Sequence, residues 1–208
     1  MKTMIMAAAL FALTASTGWS NADIAPDALA RSVTDEVLAI IRADKELQAG
    51  NPQKVMQLVE SKVLPHFNFN RMTQLAVGRN WRQATSDQQK ALVEEFKTLL
   101  VRTYAAAFTQ YRNQTVDYRP VRMTPADTDV VVKSLVRQPT GQPISVDYGM
   151  EKVGGAWKVY DVKIEGISLV ENYRNTFNGE IQRGGVDGLI RTLSDKNKSL
   201  AAQAAARR

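Results

Sequence analysis

Few side chains in this chain of 208 residues are of types that do chemistry. The one histidine, His66, follows Pro65 at a junction between expected helices and reads as a surface or capping residue. Asp161 and Glu165 stand four apart on an expected strand, so they share a side, and paired carboxylates can serve as general acid and base. Neighbouring Lys158 and Lys163 offer them ion pairs instead. Asp127 and Asp129 fall in a turn before a strand and read as solvated. Cysteine is absent, which excludes thiolate chemistry, disulfides and Cys-ligated metal. No His and carboxylate cluster has the spacing of a metal site. No nucleophile elbow or phosphate loop is present, and Gly154-Gly155 and Gly184-Gly185 read as turns. The inventory fits a binding protein and not an enzyme.

The elements that would position a binding site are legible from periodicity. Pro26 to Ala43 is an expected helix, with Leu29, Val33, Val37, Leu38, Ile40 and Ile41 mostly three and four apart. A second helix runs from Pro52 to about Leu64 and a short third from Phe67 to Val77, ended by Gly78. Ser86 with Gln89 fits a capping box, opening a long helix to about Arg112. Leu92, Phe96, Leu99, Leu100, Tyr104, Phe108 and Tyr111 make one apolar, aromatic stripe along it. The period then changes to two. Four strands are expected, at Thr115–Val121, Asp129–Arg137, from Ile144 to about Glu151, and Trp157–Glu165, joined by short turns into an antiparallel meander. Ser168 and Glu171 suggest a cap for a helix to about Arg183, and a last helix runs from Val186 to about Arg207. The fold class is α+β, with helices packed on one face of a four-stranded antiparallel sheet. Periodicity does not separate a filled core from a hollow one.

The start of the chain gives a location. Lys2 precedes an uncharged run from Met4 to Ala15, and Ser20 and Ala22 are small residues at the −3 and −1 positions of a cleavage site. This is a secretory signal peptide, residues 1–22, and the run is shorter than the roughly 20 residues of a bilayer span. Residues 23–208 then form a single exported domain. With no cysteine at the cleavage site, the domain carries no lipid anchor. The net charge of +6 suits solubility or an anionic surface, and export argues against nucleic acid.

Two segments carry a family resemblance. The first is Pro65-His66-Phe67-Asn68-Phe69-Asn70-Arg71-Met72, followed by Val77-Gly78 and Trp81-Arg82. The second runs from Trp157 to Val170, followed by Tyr173-Arg174 and Gly184 to Leu189. Together they resemble the MlaC family, phospholipid-binding components of the Mla (toluene-tolerance) lipid transport system. Asn68 departs from the pattern, since the family often has Asp between the two aromatics.

The resemblance implies a soluble periplasmic carrier that encloses acyl chains in an apolar cavity between helices and sheet. It implies phospholipid as cargo and no cofactor. It also implies partners in an inner-membrane Mla ABC transporter complex and an outer-membrane lipoprotein–porin complex. The chain is expected to be a monomer. On that reading the periodicity nominates Phe96, Leu100, Tyr104 and Phe108 from the long helix as lining. Val132, Val146, Tyr148, Val162 and Ile164 join them from the sheet, and Ile167, Val170 and Tyr173 follow the last strand. Strand phase leaves Val131 or Val159 as alternatives to Val132 or Val162. Arg79, Arg82, Arg112 and Arg174 are candidates for the headgroup mouth or a docking surface. A chaperone or lipoprotein carrier would use the same apolar surface, and a small hydrolase or isomerase would use Asp161 or Glu165.

Overall fold

A computed structural model describes residues 24–105 and 114–206. The expected signal peptide and the expected end of the long helix, with Phe108 and Arg112, lie outside the described residues.

Helix α1, Pro26–Ala43, has the expected bounds, with Pro26 in its first turn, where the missing N–H costs no bond. The short α2, Lys45–Gln48, is capped by Asp44, which accepts from the amides of Glu46 and Leu47. Helix α3, Pro52–Leu58, is capped by Asn51. It does not continue to Leu64 as a regular helix. Residues Val59–Val63 form a π-turn and Leu64–His66 a 3-10 turn, which adjusts the backbone ahead of Pro65, a residue without an N–H to donate. Lys62 in the π-turn donates to Glu36 on α1 at 2.5 Å.

Helix α4 is Phe69–Val77. The expected start at Phe67 is two residues early, because Phe67 is extended and bridges Val159 in parallel, while the Asn68 amide donates to the Val159 carbonyl at 2.8 Å. Asn68 then caps α4, its Oδ1 accepting from the Arg71 amide at 3.0 Å and its Nδ2 donating to Glu151 at 2.7 Å. An aspartate here would keep the cap but would face the Glu151 carboxylate with no proton to offer. A 3-10 turn, Gly78–Gln83, leads to α5, Ser86–Tyr104. Its capping box is Thr85 with Gln88, one residue ahead of the expected pair.

The sheet is an antiparallel meander in the order β1-β2-β3-β4-β5. Its strands are β1 Thr115–Tyr118, β2 Asp129–Arg137, β3 Ile144–Val153, β4 Ala156–Ile164 and β5 Ile167–Ser168. Strand β1 stops short of Val121, and Pro120, without an N–H, cannot extend the ladder. The fifth strand is a two-residue return from β4. The segment Leu169–Ala206, α6, is two helical stretches that meet at a kink at Gly185, whose φ of 67° and ψ of −171° are not helical and whose positive φ suits glycine. The kink falls at the expected Gly184-Gly185 break. The Ser168 hydroxyl accepts from the Glu171 amide at 3.0 Å at its start.

Among the described residues, buried apolar side chains fall into three clusters. The first joins α4, α5 and α6 through Met72, Leu92, Phe96, Phe177 and Leu189. The second joins α1 to α3 and the π-turn through Val37, Ile41, Leu47, Val55, Leu58 and Val59. The third lies on the sheet, with Tyr118, Val132, Met150, Trp157 and Val159. A domain of this size ordinarily has one contiguous core. Here the space where the three would meet is hollow.

Candidate functional site

The hollow is a cavity of about 420 Å³, within the roughly 300–1,000 Å³ typical of small-molecule sites. Its walls come from all three clusters. Helix α1 gives Leu29, Ala30, Val33, Thr34, Val37 and Leu38, and the π-turn and its sequel give Val59, Val63, Leu64 and His66. Phe67, Phe69 and Met72 close the start of α4, and Leu100, Val101, Tyr104 and Ala105 close the end of α5. The sheet side carries Tyr118, Val146, Tyr148, Met150, Val159, Val162 and Ile164, and Leu169 opens α6.

Polar groups in this wall are few and mostly satisfied by protein. The Thr34 and Tyr118 hydroxyls are 2.6 Å apart. Arg31 donates to the Tyr118 carbonyl and lies 5.3 Å from the centre of its ring, which holds α1 to β1. Tyr148 has accessible surface because it faces the hollow, yet its hydroxyl is deep among protein atoms. Burial pushes that phenol well above its ordinary range. His66 is held below its ordinary value, first by burial and then by the positive charge of Lys158. Among the described residues no arginine or lysine lines the cavity. Its described wall is mainly aliphatic and aromatic, with His66, Thr34 and three tyrosines as its side chains able to hydrogen-bond.

Of the residues nominated from sequence, Leu100, Tyr104, Val146, Tyr148, Val162 and Ile164 line the cavity. Phe96, Val132, Ile167, Val170 and Tyr173 do not. Phe96 is fully buried in the α5–α6 seam, with ring centres 5.1 Å from Tyr173 and 5.0 Å from Phe177. The reason is helical drift. Steps of four residues turn about 40° each, so a stripe that meets α6 at Phe96 has wound round to the cavity by Tyr104. Burial, with the Tyr104 hydroxyl beside it, raises Tyr173 to about 12. Val132 shares the inner face with its partner Tyr148 but is packed out of reach beneath the sheet cluster. Val170 is buried among the helices, and Ile167 is 65% exposed.

Strand β4 resolves the question of phase in an unexpected way. Gly149 pairs with Asp161 and Met150 with Val159, so Tyr160 is an extra residue in a β-bulge. The bulge turns both Val159 and Val162 inward, where regular alternation would allow only one. Val131 faces outward and is 47% exposed. A Cβ at Gly149 would stand 3.1 Å from the Tyr160 ring, which the bulge lays against the strand, and Tyr160 donates to Asp129 at 2.9 Å.

The carboxylates of the alternative hydrolase reading do not act as a pair. Asp161 accepts from the Val170 amide at 3.2 Å at the start of α6, while Glu165 lies in the following turn and accepts from the Ser145 amide. Lys158 donates to the Pro65 carbonyl. Asp127 accepts from the Thr124 amide and hydroxyl, so neither it nor Asp129 is merely solvated. Among the described residues no group of three or more His, Cys, Asp and Glu could hold a metal ion. Arg79, Arg82 and Arg174 are exposed, and none borders the cavity. The Arg174 guanidinium packs against Gly78.

Sequence reasoning missed the walls made by α1, the π-turn and the start of α4. The α1 spacing was visible but fits core packing equally well. The one local signal at the π-turn was the pairing of Pro65 with a lone histidine.

Comparison with known proteins gives concordant results. A family model described as MlaC protein matches residues 31–195. The chain is 25% identical over 185 residues, 86% of each chain, to the intermembrane phospholipid transport system binding protein MlaC of Haemophilus influenzae. It is 26% identical over 163 residues to toluene tolerance protein ttg2D of Pseudomonas putida, covering 78% of this chain and 75% of that one. A solved structure of the phospholipid-binding protein from Ralstonia solanacearum, in complex with a phospholipid, superposes with a TM-score of 0.78 at 48% identity. That match covers 84% of this chain and 98% of the other.

Proposed function

This chain belongs to the MlaC family, and from that premise we propose that it is a periplasmic phospholipid carrier of an Mla-type transport system. It takes the acyl chains into the cavity and leaves the headgroup at the opening. It passes the lipid between an inner-membrane ABC transporter complex and an outer-membrane lipoprotein–porin complex, and any ATP is consumed by the transporter.

The observation that carries this reading is the apolar hollow at the meeting point of three cores. A carrier must compete with a bilayer. Each methylene taken from water is worth about 0.8 kcal/mol, so one 16-carbon chain is worth on the order of 12 kcal/mol. A wet surface groove forfeits much of that, whereas an enclosed apolar cavity retains it. The phospholipid bound to the 48%-identical relative supports the same cargo. The commitment of Asp161 and Glu165 to backbone amides supports a role without catalysis.

The test is organic extraction of the purified protein, with mass spectrometry of the extract and uptake from labelled vesicles. Phospholipid near stoichiometric amounts is expected. Tyr104→Asp and Val146→Asp should retain the fold and carry at least tenfold less lipid, since a carboxylate in the apolar wall lacks a partner. An extract without phospholipid and no uptake would overturn the reading, and an acylated protein or polypeptide recovered instead would favour a chaperone or lipoprotein carrier.

A further inference from the structure

One cavity-lining residue differs from the rest. Ile164 is 37% exposed, the most exposed of the described lining residues. It is the last residue of β4, so the wall of the cavity reaches the protein surface there. Directly opposite it on β5 is Ile167, 65% exposed and the most exposed large apolar residue among those described. Partners across an antiparallel pair share a face, and the two isoleucines therefore continue the cavity wall outward as a small apolar lip.

The lip is held firmly. Glu165 and Gly166 form its two-residue turn, both with positive φ, 50° and 79°, as tight hairpins require. The Glu165 amide donates to the Ser145 carbonyl at 3.0 Å, and the Glu165 carboxylate accepts from the Ser145 amide. On the other side Asp161 accepts from the Val170 amide and fixes the start of α6. A tip tied to β3 and to α6 in this way presents its side chains in one geometry.

We infer that the Ile164–Ile167 tip is a docking lip that seats against the apolar rim of a lipid-conducting protein partner. This rests on the carrier reading above. The charge around the tip argues against a bilayer as the occupant. Lys163 turns to the opposite face, where it borders a separate hollow with Asp147 and Asp161. The residue at the tip itself is the acidic Glu165. Two isoleucines also present less apolar surface than a single myristoyl chain, which alone holds a protein only marginally on a membrane. A matched rigid rim on a protein needs no such anchoring. Abutting two apolar openings spares the moving acyl chain a passage through water.

The experiment loads the mature protein with a fluorescent phospholipid. It then follows transfer to proteoliposomes containing the Mla ABC transporter complex and to protein-free vesicles of the same lipids. Ile167→Ser should load like the unmodified protein and transfer to proteoliposomes at least tenfold more slowly, with vesicle transfer unchanged. Ile167→Leu should restore the rate. Val153→Ser, at an exposed valine away from the lip, should alter neither rate. Unchanged transfer by Ile167→Ser to proteoliposomes overturns the inference, as does equal slowing on plain vesicles, which would make the bilayer the occupant. Slowing by Val153→Ser, or failure of Ile167→Leu to restore the rate, overturns it too. An unmodified protein that carries no phospholipid overturns the carrier reading itself, and the lip with it.

Discussion

His66 shows how a residue that reads as incidental acquires a measurable property from its surroundings. Partial burial and the charge of Lys158 hold it neutral to a lower pH than in an unfolded chain. The unfolded chain takes up a proton near pH 6.5, while the folded one does so only below that. The unfolded state thus binds more protons over this range, and stability falls as pH drops from 7 toward 5. Denaturant midpoints at the two pH values should show the loss in the unmodified protein and a flatter profile in His66→Gln. A variant with the full slope would place the titration on another group. Asn68 is instructive in another way. The departure from the family pattern matters because its amide supplies both the cap acceptor for α4 and the donor to Glu151, and aspartate can supply only the first.

At the scale of elements, the β4 bulge is the device that shapes the site. Gly149 and Tyr160 act as a unit there, one yielding the space that the other occupies. Gly149→Val should cost about 1–3 kcal/mol through overpacking. Adding Tyr160→Ala should return part of the loss, which a double-mutant cycle by chemical denaturation would read as coupling between the two positions. Additive effects would mean that the ring moves aside freely. The same bulge explains why strand phase was not legible. Alternation along β3 was readable, and Val146 and Tyr148 followed from it. Along β4 the extra residue obeys backbone register, which no side-chain pattern records. The start of α1 was legible because Pro26 is a local signal, whereas its end is set by the extended Asp44, which caps α2, and the Gly50 to Pro52 break falls after that second short helix. The π-turn was not, since Val55 to Val63 carries the same apolar spacing in either helical form. Phe67 reads as helix in the sequence because its pairing partner, Val159, is remote from it.

For the whole molecule, three cores around a hollow mean that the empty protein gives up packing its cargo would supply. Under the proposed function, bound lipid contributes to stability by mass action. A ligand at a hundredfold its Kd adds about 2.7 kcal/mol, which for a domain of this length is a rise of roughly 5–10 °C in melting midpoint. Delipidated protein should melt lower by that order in calorimetry, and reloading should restore the midpoint. Equal midpoints with and without lipid would show that the cavity closes on itself when empty.

The hollow also bears on how freely the sequence can drift. A residue such as Phe96 meets fixed neighbours on every side, so a change of even one methylene there is felt. Val33, Val63 or Val162 would instead border a hydrocarbon chain that conforms to whatever contour it is given. Such positions need only exclude water, and valine, isoleucine, leucine and methionine become near equivalents in them. Selection on this protein would then hold its seams to shape while letting its container vary in outline, and lineages could adapt to membranes of different acyl length by exchanging aliphatic side chains without disturbing the fold.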